Sequence, residues 1–434
     1  VWDERQMAQN AIPEYEDLDY TPRARPAIPP AAPREVAPAY EPKVTKRGLF
    51  ASVDTALLVT VGMLLAIGAL MVYSTTFDWS YNDFGSETAV LMQHLRNMAI
   101  GLAVFTAAAM LNYHFWKRFS IWLLLGTVGT LIAVLAFSDE LFGARRSFLN
   151  GSYQPGELAE LTVVVYMAAW LSSKGTKVRS FFNGLLPFAV LLGFVSALIM
   201  LQPDISTAVT LIISSSILFF LAGASLRYLA IIAALMAAGG YIVIDVLGYA
   251  GGRVSSFAAG LMDQSNYHAQ QAIIAFMNGG WAGVGLGQGR QKFGFLPAPH
   301  TDSIFAVIGE EIGVIGAAFV VTLFIIFVFR GFTISRRAND SFGALLAAGV
   351  TIWIITKAMM NIAVMLNVVP ATGVALPFIS FGGSSLVTVL AGAGLLVSVS
   401  RYSAQREKSK RESSATYDRG RGDRGTRLPG ARGG

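Results

Sequence analysis

The residues able to do chemistry in this 434-residue chain are few, and most fall in two short stretches. There is no cysteine, and the four histidines form no HExxH pattern, which removes thiolate metal centres, iron–sulfur clusters, cysteine nucleophiles and zinc hydrolases of that type. Carboxylates and cations remain. Asp302 closes the glycine-rich stretch GGWAGVGLGQGRQKFGFLPAPHTD, Gly279 to Asp302, directly behind His300 and Thr301. A carboxylate there could act as a general base, or it could cap a helix together with Thr301 and Ser303. Gly283, Gly285, Gly287 and Gly289 let backbone N–H groups approach an anion closely, and Lys292 adds a cation. The run is neither a P-loop nor a dinucleotide fingerprint, because no strand precedes it. Further on stand Glu310 and Glu311. An unbroken helix sets Glu310 roughly 12 Å from Asp302, at ~1.5 Å per residue, with Glu311 on the opposite side. That arrangement does not flank one glycosidic bond at ~5–9 Å as hydrolase carboxylates do. The two glutamates are therefore expected to give polar support inside a helix bundle, with Lys357 and Asn361, four residues apart on one helix face, as their partners.

The second stretch is GARRSFLNGSYQPGELAEL, Gly143 to Leu161. Arg145 and Arg146 offer planar guanidinium forks suited to phosphate or carboxylate, and Gln154 with Glu157 could orient them or a sugar hydroxyl. Pro155 also suits the first turn of a helix, and Glu157 the positive end of its dipole. Asp204, in LQPDIST, reads as a helix cap.

The elements that must position these groups follow from composition. Hydrophobic residues make up 54% of the chain and charged residues 14%, and the mean hydropathy is +0.54, values that put most of the chain in lipid. Residues 401–434 hold ten Lys/Arg against four Asp/Glu, which accounts for the whole net charge of +6. A basic tail without stacking aromatics fits topology and contact with anionic membrane lipids, not nucleic acid. Residues 1–50 carry eight of the sixteen prolines and no packing run; they begin at Val1, lack a signal-peptide pattern, and read as a disordered arm. Between arm and tail the sequence predicts ten spans, near 54–76, 90–111, 118–137, 157–172, 183–201, 205–223, 227–248, 303–329, 343–368 and 378–400. The expected fold is an all-α polytopic membrane protein of about ten transmembrane helices with both termini cytoplasmic. A large extracytoplasmic loop joins helices 7 and 8. Its parts are a disordered arm at 1–50, a membrane domain at 51–402 and a basic disordered tail at 403–434. The short inner loops then gather the Lys and Arg residues, whereas the outer segments 138–156 and 249–302 hold Arg145, Arg146, Arg253, Arg290 and Lys292 against the usual bias. Positive charge placed outside suggests a ligand.

Together these segments resemble the SEDS family, the FtsW and RodA membrane glycosyltransferases of bacterial peptidoglycan synthesis. GARR…QPGELAEL is similar to the family's GARRW…QPSELAKL, and LQPDISTAV to EPDxGTA. RQKFGFLPAPHTDSIFAVIGEEIGVIG resembles QKxGFLPExHTDFIFAxIGEExGxxG, and NIAVMLNVVPATGVALPFISFGGSSL resembles NIGVxxGxxPxTGxPLPFISYGGSSL. The long arm and the RQKFGFLP wording are more like FtsW than RodA.

The resemblance implies polymerisation of lipid II into glycan strands on the outer face of the cytoplasmic membrane, with release of undecaprenyl diphosphate, during septal wall synthesis and cell division. Elongation-type RodA activity and lipid II flipping are the alternatives. It makes Asp302 the catalytic carboxylate, and Arg145, Arg146, Gln154, Glu157, Lys292, His300 and Thr301 the groups around diphosphate and sugar. It implies a class B penicillin-binding protein as transpeptidase partner, with other divisome or elongation proteins. No cofactor or protein-built metal site is expected, and a divalent cation, Mg²⁺ or Mn²⁺, could arrive on the diphosphate itself. The chain departs from the family pattern at Ser147, Gly156, Ala298 or Pro299, Ser303, Glu160 and Lys357. Glu160 replaces the lysine of ELAKL and Lys357 a glutamine, so a cation is missing from the fourth helix. If the family's lysine contacts phosphate, restoring it at Glu160 is expected to raise activity; a loss of activity would instead mean that Glu160 has a new partner, with Arg146 the first candidate.

Overall fold

The computed structural model describes residues 53–137, 154–242 and, apart from 243–247, 249, 250, 262, 264 and 265, residues 248–422. Among them all regular structure is helical. The helices are α1 (Thr55–Phe84), α2 (Ala89–Met110), α3 (Tyr113–Phe137), α4 (Pro155–Lys174), α5 (Leu186–Met200), α6 (Ile205–Leu221), α7 (Leu226–Tyr241), α8 (Gly251–Ala259), α9 (Tyr267–Gly279), α10 (Ile304–Glu311), α11 (Gly313–Arg337), α12 (Ser341–Met365) and α13 (Gly383–Gly422). Six helical stretches are long and apolar enough to cross a membrane: those of α1, α3, α5 with its preceding turn, α11, α12 and the start of α13. Shorter apolar helices at α6 and α7 fall in the predicted places.

Local signals set the ends. Asp54 caps α1 by accepting from the Leu57 amide at 3.0 Å, and Gly85 ends it in the left-handed region at φ +67°. Asp204 caps α6 as expected, taking the Thr207 amide at 3.1 Å and the Thr207 hydroxyl at 2.8 Å. Pro155 opens α4 with Glu157 in its first turn.

Small residues let the long helices approach. A Cβ on Gly394 of α13 would stand 2.4 Å from the Phe105 carbonyl of α2, and one on Gly331 of α11 would meet Thr351 of α12 at 2.1 Å. Such close packing drives helix association where lipid removes the hydrophobic term. Two apolar cores result, one around α1, α11, α12 and α13, the other around α3, α5 and α6. Helices α4 and α12 give side chains to both cores, and α12 is buried along most of its length. Large apolar groups such as Phe182, Val190, Ile315 and Phe329 face outward instead.

Three expectations change. The eighth predicted span is two helices, because Gly313 at φ +77° breaks it after Glu311. Helix α1 runs to Phe84, two turns past its expected end near 76. Helix α13 continues to Gly422, so residues 403–422 are helical where a structureless tail was expected.

Candidate functional site

Asp302 lies in a turn, one residue before the cap position of α10. Ser303 holds that cap position without a side-chain capping bond; its hydroxyl donates to Pro297 O at 2.6 Å and meets His268 Nε2 at 2.7 Å. The backbone at and just before Asp302 is tied down. Asn361 of α12 donates to the Asp302 carbonyl at 2.7 Å and to Val374 O at 2.7 Å. Ser380 donates to Thr301 O at 2.6 Å, and the Phe381 amide donates to His300 O at 2.9 Å. These bonds hold a partly buried carboxylate in one place, as a positioned base requires. A Cβ on Gly373 would come within 3.4 Å of Asp302 Oδ2, and the Gly373 amide donates to Ser206 Oγ at 3.2 Å. Asp302 therefore stands beside the start of α6. There Asp204 accepts from Gln154 Nε2 at 3.2 Å, which brings in the start of α4. Burial lowers the pKa of His300 from its usual value near 6.5, favouring the neutral ring beside Asp302.

One turn along α12 from Asn361 stands Lys357, buried to 2% exposure. Its ammonium bonds directly to Glu157 and, at 2.9 Å, to Glu160 Oε2, joining α12 to two residues of α4. Glu160 also accepts from Trp353 Nε1 at 3.0 Å and from the Thr210 hydroxyl. Buried charges persist only when paired and hydrogen-bonded in this way.

The glycine-rich loop forms an anion nest whose anions are the protein's own. Glu310 accepts from the Arg290 amide at 3.0 Å and the Gln291 amide at 3.2 Å. Glu311 accepts from the Gly287 amide at 3.0 Å, Ser74 Oγ at 2.6 Å and Lys292 Nζ at 2.6 Å. A Cβ on Gly289 would lie 2.9 Å from Glu310 Oε2 and 3.1 Å from Glu311 Oε1, so both carboxylates converge on that glycine.

A family model described as cell cycle protein, covering FtsW, RodA and SpoVE, matches residues 55–405. The chain belongs to the FtsW/RodA/SpoVE family. It is 33% identical over 355 residues to a probable peptidoglycan glycosyltransferase FtsW of Geobacter metallireducens, covering 80% of this chain and 94% of that one. It is 32% identical over 358 residues to the stage V sporulation protein E of Bacillus subtilis, covering 81% and 98%. Its fold is similar to that of the rod shape determining protein RodA of Thermus thermophilus, with a TM-score of 0.61 at 23% identity over 82% of this chain and 98% of that one. A chain from a peptidoglycan synthase complex, described as coordinating polymerization and crosslinking, has a TM-score of 0.67 at 25% identity over 82% and 99%. With these relatives and its apolar helices, the chain is a multi-pass membrane protein.

Within this FtsW/RodA/SpoVE chain the structure redistributes several expected partners. Glu310 and Glu311 do not meet Lys357 and Asn361, because the break at Gly313 ends α10 beneath the glycine-rich loop. The two glutamates do not face opposite ways either, since both carboxylates turn to the glycine-rich loop. Lys292, expected as an external cation for diphosphate, has a side chain 1% exposed and paired with Glu311. Glu157 and Glu160 both pair with Lys357. Arg145 and Arg146 lie outside the described residues. Gln154, His300, Thr301 and Asn361 do gather around Asp302 or its neighbour Asp204. Sequence reasoning missed Ser74, Ser380, Trp353 and Thr210. The departures at Glu160 and Lys357, opposite in sign, mark two unusual charges in the sequence but do not say that they meet. The missed residues are ordinary hydroxyls and an apolar-looking indole.

Proposed function

We propose that the chain is a peptidoglycan glycosyltransferase that polymerises lipid II. The supporting observation is the half-open carboxylate of Asp302, fixed through its own carbonyl and those of its two predecessors, beside polar groups from α4, α6 and α12. In this reading Asp302 takes the proton of an acceptor sugar hydroxyl as that oxygen bonds to the anomeric carbon of the donor. The bond from that carbon to the diphosphate oxygen breaks, and undecaprenyl diphosphate leaves with the electron pair. Arg145 and Arg146 are the proposed diphosphate ligands; Lys292, held by Glu311, is not. A divalent cation, Mg²⁺ or Mn²⁺, could arrive on the diphosphate itself.

The proposed frame has ten spans, both termini in the cytoplasm, and Asp302 facing outward at the end of the loop between the seventh and eighth spans. The FtsW names among the relatives favour septal over elongation synthesis, and the synthase-complex relative favours a class B penicillin-binding protein as partner. The test is glycan formation by purified protein with lipid II in detergent, with and without that transpeptidase. Strands made with no membrane to cross exclude lipid flipping as the sole activity. A wild-type protein that makes none under either condition overturns the proposal.

A further inference from the structure

The two extra turns of α1 carry Phe77, Asp78 and Trp79 beyond the length an apolar span needs. They wall a cavity of about 220 Å³ together with Phe293, over a floor that includes Ser74 and Lys292. Phe77 and Phe293 meet edge to face, with centroids 5.9 Å apart. Lys292 Nζ lies 5.1 Å from one ring and 5.3 Å from the other, while donating to Ser74 at 3.0 Å and to Glu311 at 2.6 Å. An ammonium has three N–H groups, and the third has no hydrogen-bond acceptor among the described residues. Trp79, 40% exposed, stacks on His300 at 5.1 Å and 23°, and His300 is two residues from Asp302. Asp78, at the rim, is exposed.

We propose that this cavity is a carbohydrate subsite holding one neutral N-acetylhexosamine ring of the glycan, next to the Asp302 loop. Aromatic faces suit the apolar C–H face of a pyranose, and the exposed Asp78 carboxylate suits its hydroxyl rim. The volume lies below the ~300–1,000 Å³ of sites for drug-sized ligands, so it fits a single ring and not a peptide-bearing disaccharide. Charge excludes the diphosphate: Glu311 already neutralises Lys292, and Asp78 leaves the cavity negative. A polyprenyl tail would bury its hydrocarbon against a carboxylate and an ammonium, which is costly.

The inference rests on the glycosyltransferase reading, and the experiment separates the two. Binding of chitotetraose, a neutral N-acetylglucosamine oligomer, to the full chain in detergent is followed by saturation-transfer NMR, which needs no turnover. Trp79→Ala should weaken binding about tenfold, in line with the loss of one aromatic contact, with partial recovery in Trp79→Phe. Asp78→Asn, which does not touch His300, should weaken it too, and Asp302→Asn should leave it unchanged. In polymerisation, Trp79→Ala and Asp78→Asn should raise the lipid II KM more than they lower kcat. Sugar binding that depends on Trp79 in a protein making no glycan would uphold the subsite and remove the glycosyltransferase reading. Absence of chitotetraose binding by wild type, equal binding by wild type, Trp79→Ala and Asp78→Asn, or displacement of the sugar by undecaprenyl phosphate alone would overturn the subsite.

Discussion

Asp302 and Lys357 are both charged and near each other in the fold, yet substitution should separate them cleanly. Ser303, not Asp302, holds the cap position of α10, and Asn matches Asp in size and cap preference, so Asp302→Asn should keep the melting temperature near wild type. Loss of a general base should lower lipid II turnover by roughly 10²–10⁴-fold. Polymerisation near the wild-type rate would remove Asp302 from the mechanism. Lys357→Gln should behave in the opposite way, since it strands Glu157 and Glu160 in the bundle; breaking a buried pair on one side costs about 3–5 kcal/mol. Moving the cation instead of deleting it is the sharper measurement. Glu160→Lys combined with Lys357→Gln sets a lysine one turn from Glu157 on α4 itself, leaves no buried carboxylate without a cation, and should be far more stable than either single change in thermal melts. Glu160→Lys alone faces Lys357, so the gain of activity expected from sequence becomes an expected loss of stability. If the double variant melts as low as Lys357→Gln, compensation of the buried carboxylates is not what stabilises this region.

At the scale of elements, the break between α10 and α11 decides where two glutamates go. A continuous helix would have carried them along the bundle; the left-handed turn at Gly313 ends α10 against the glycine-rich loop. A Cβ at Gly313 would lie 2.4 Å from the Gly283 amide nitrogen and 2.5 Å from the Trp281 carbonyl. Gly313→Ala therefore meets both a positive φ, worth roughly 1–3 kcal/mol, and a backbone clash with no flexible atom to yield. Purified Gly313→Ala should melt well below wild type and lose protection of the 283–292 amides in hydrogen exchange. Gly62, which has open space around its Cβ position, is the control, and Gly62→Ala should change neither. Equal exchange in wild type and Gly313→Ala would show that the loop does not depend on this turn.

For the whole molecule, the absence of native cysteine gives a direct test of orientation. Single cysteines at exposed Asn82, past the lipid-facing part of α1, and at exposed Ser173, at the end of α4, should react with an impermeant maleimide from opposite sides of the membrane. Labelling of Asn82→Cys from outside and Ser173→Cys only after permeabilisation is the expected result. Labelling of both from one side would overturn the proposed topology. Placement of most helices was legible in the sequence because a bilayer forces every spanning segment to be apolar and self-satisfied in backbone hydrogen bonds, a constraint written along the chain itself. Asp204 and Pro155 were legible for a similar reason, since a cap or first-turn residue acts on amides a few positions away. The four motif matches marked the residues of the candidate site. Which charge meets which was not legible. Glu157, Glu160 and Lys357 come together only after α4 and α12 pack, across about 200 positions of chain, and Lys292 meets Glu311 only once the glycine-rich loop packs on the end of α10. Sequence by itself determined the family, the apolar elements and the candidate base, all of which depend on local pattern. The partner of each buried charge was decided by tertiary structure alone, because desolvation makes every such group seek the nearest compatible one in space, whatever its distance along the chain.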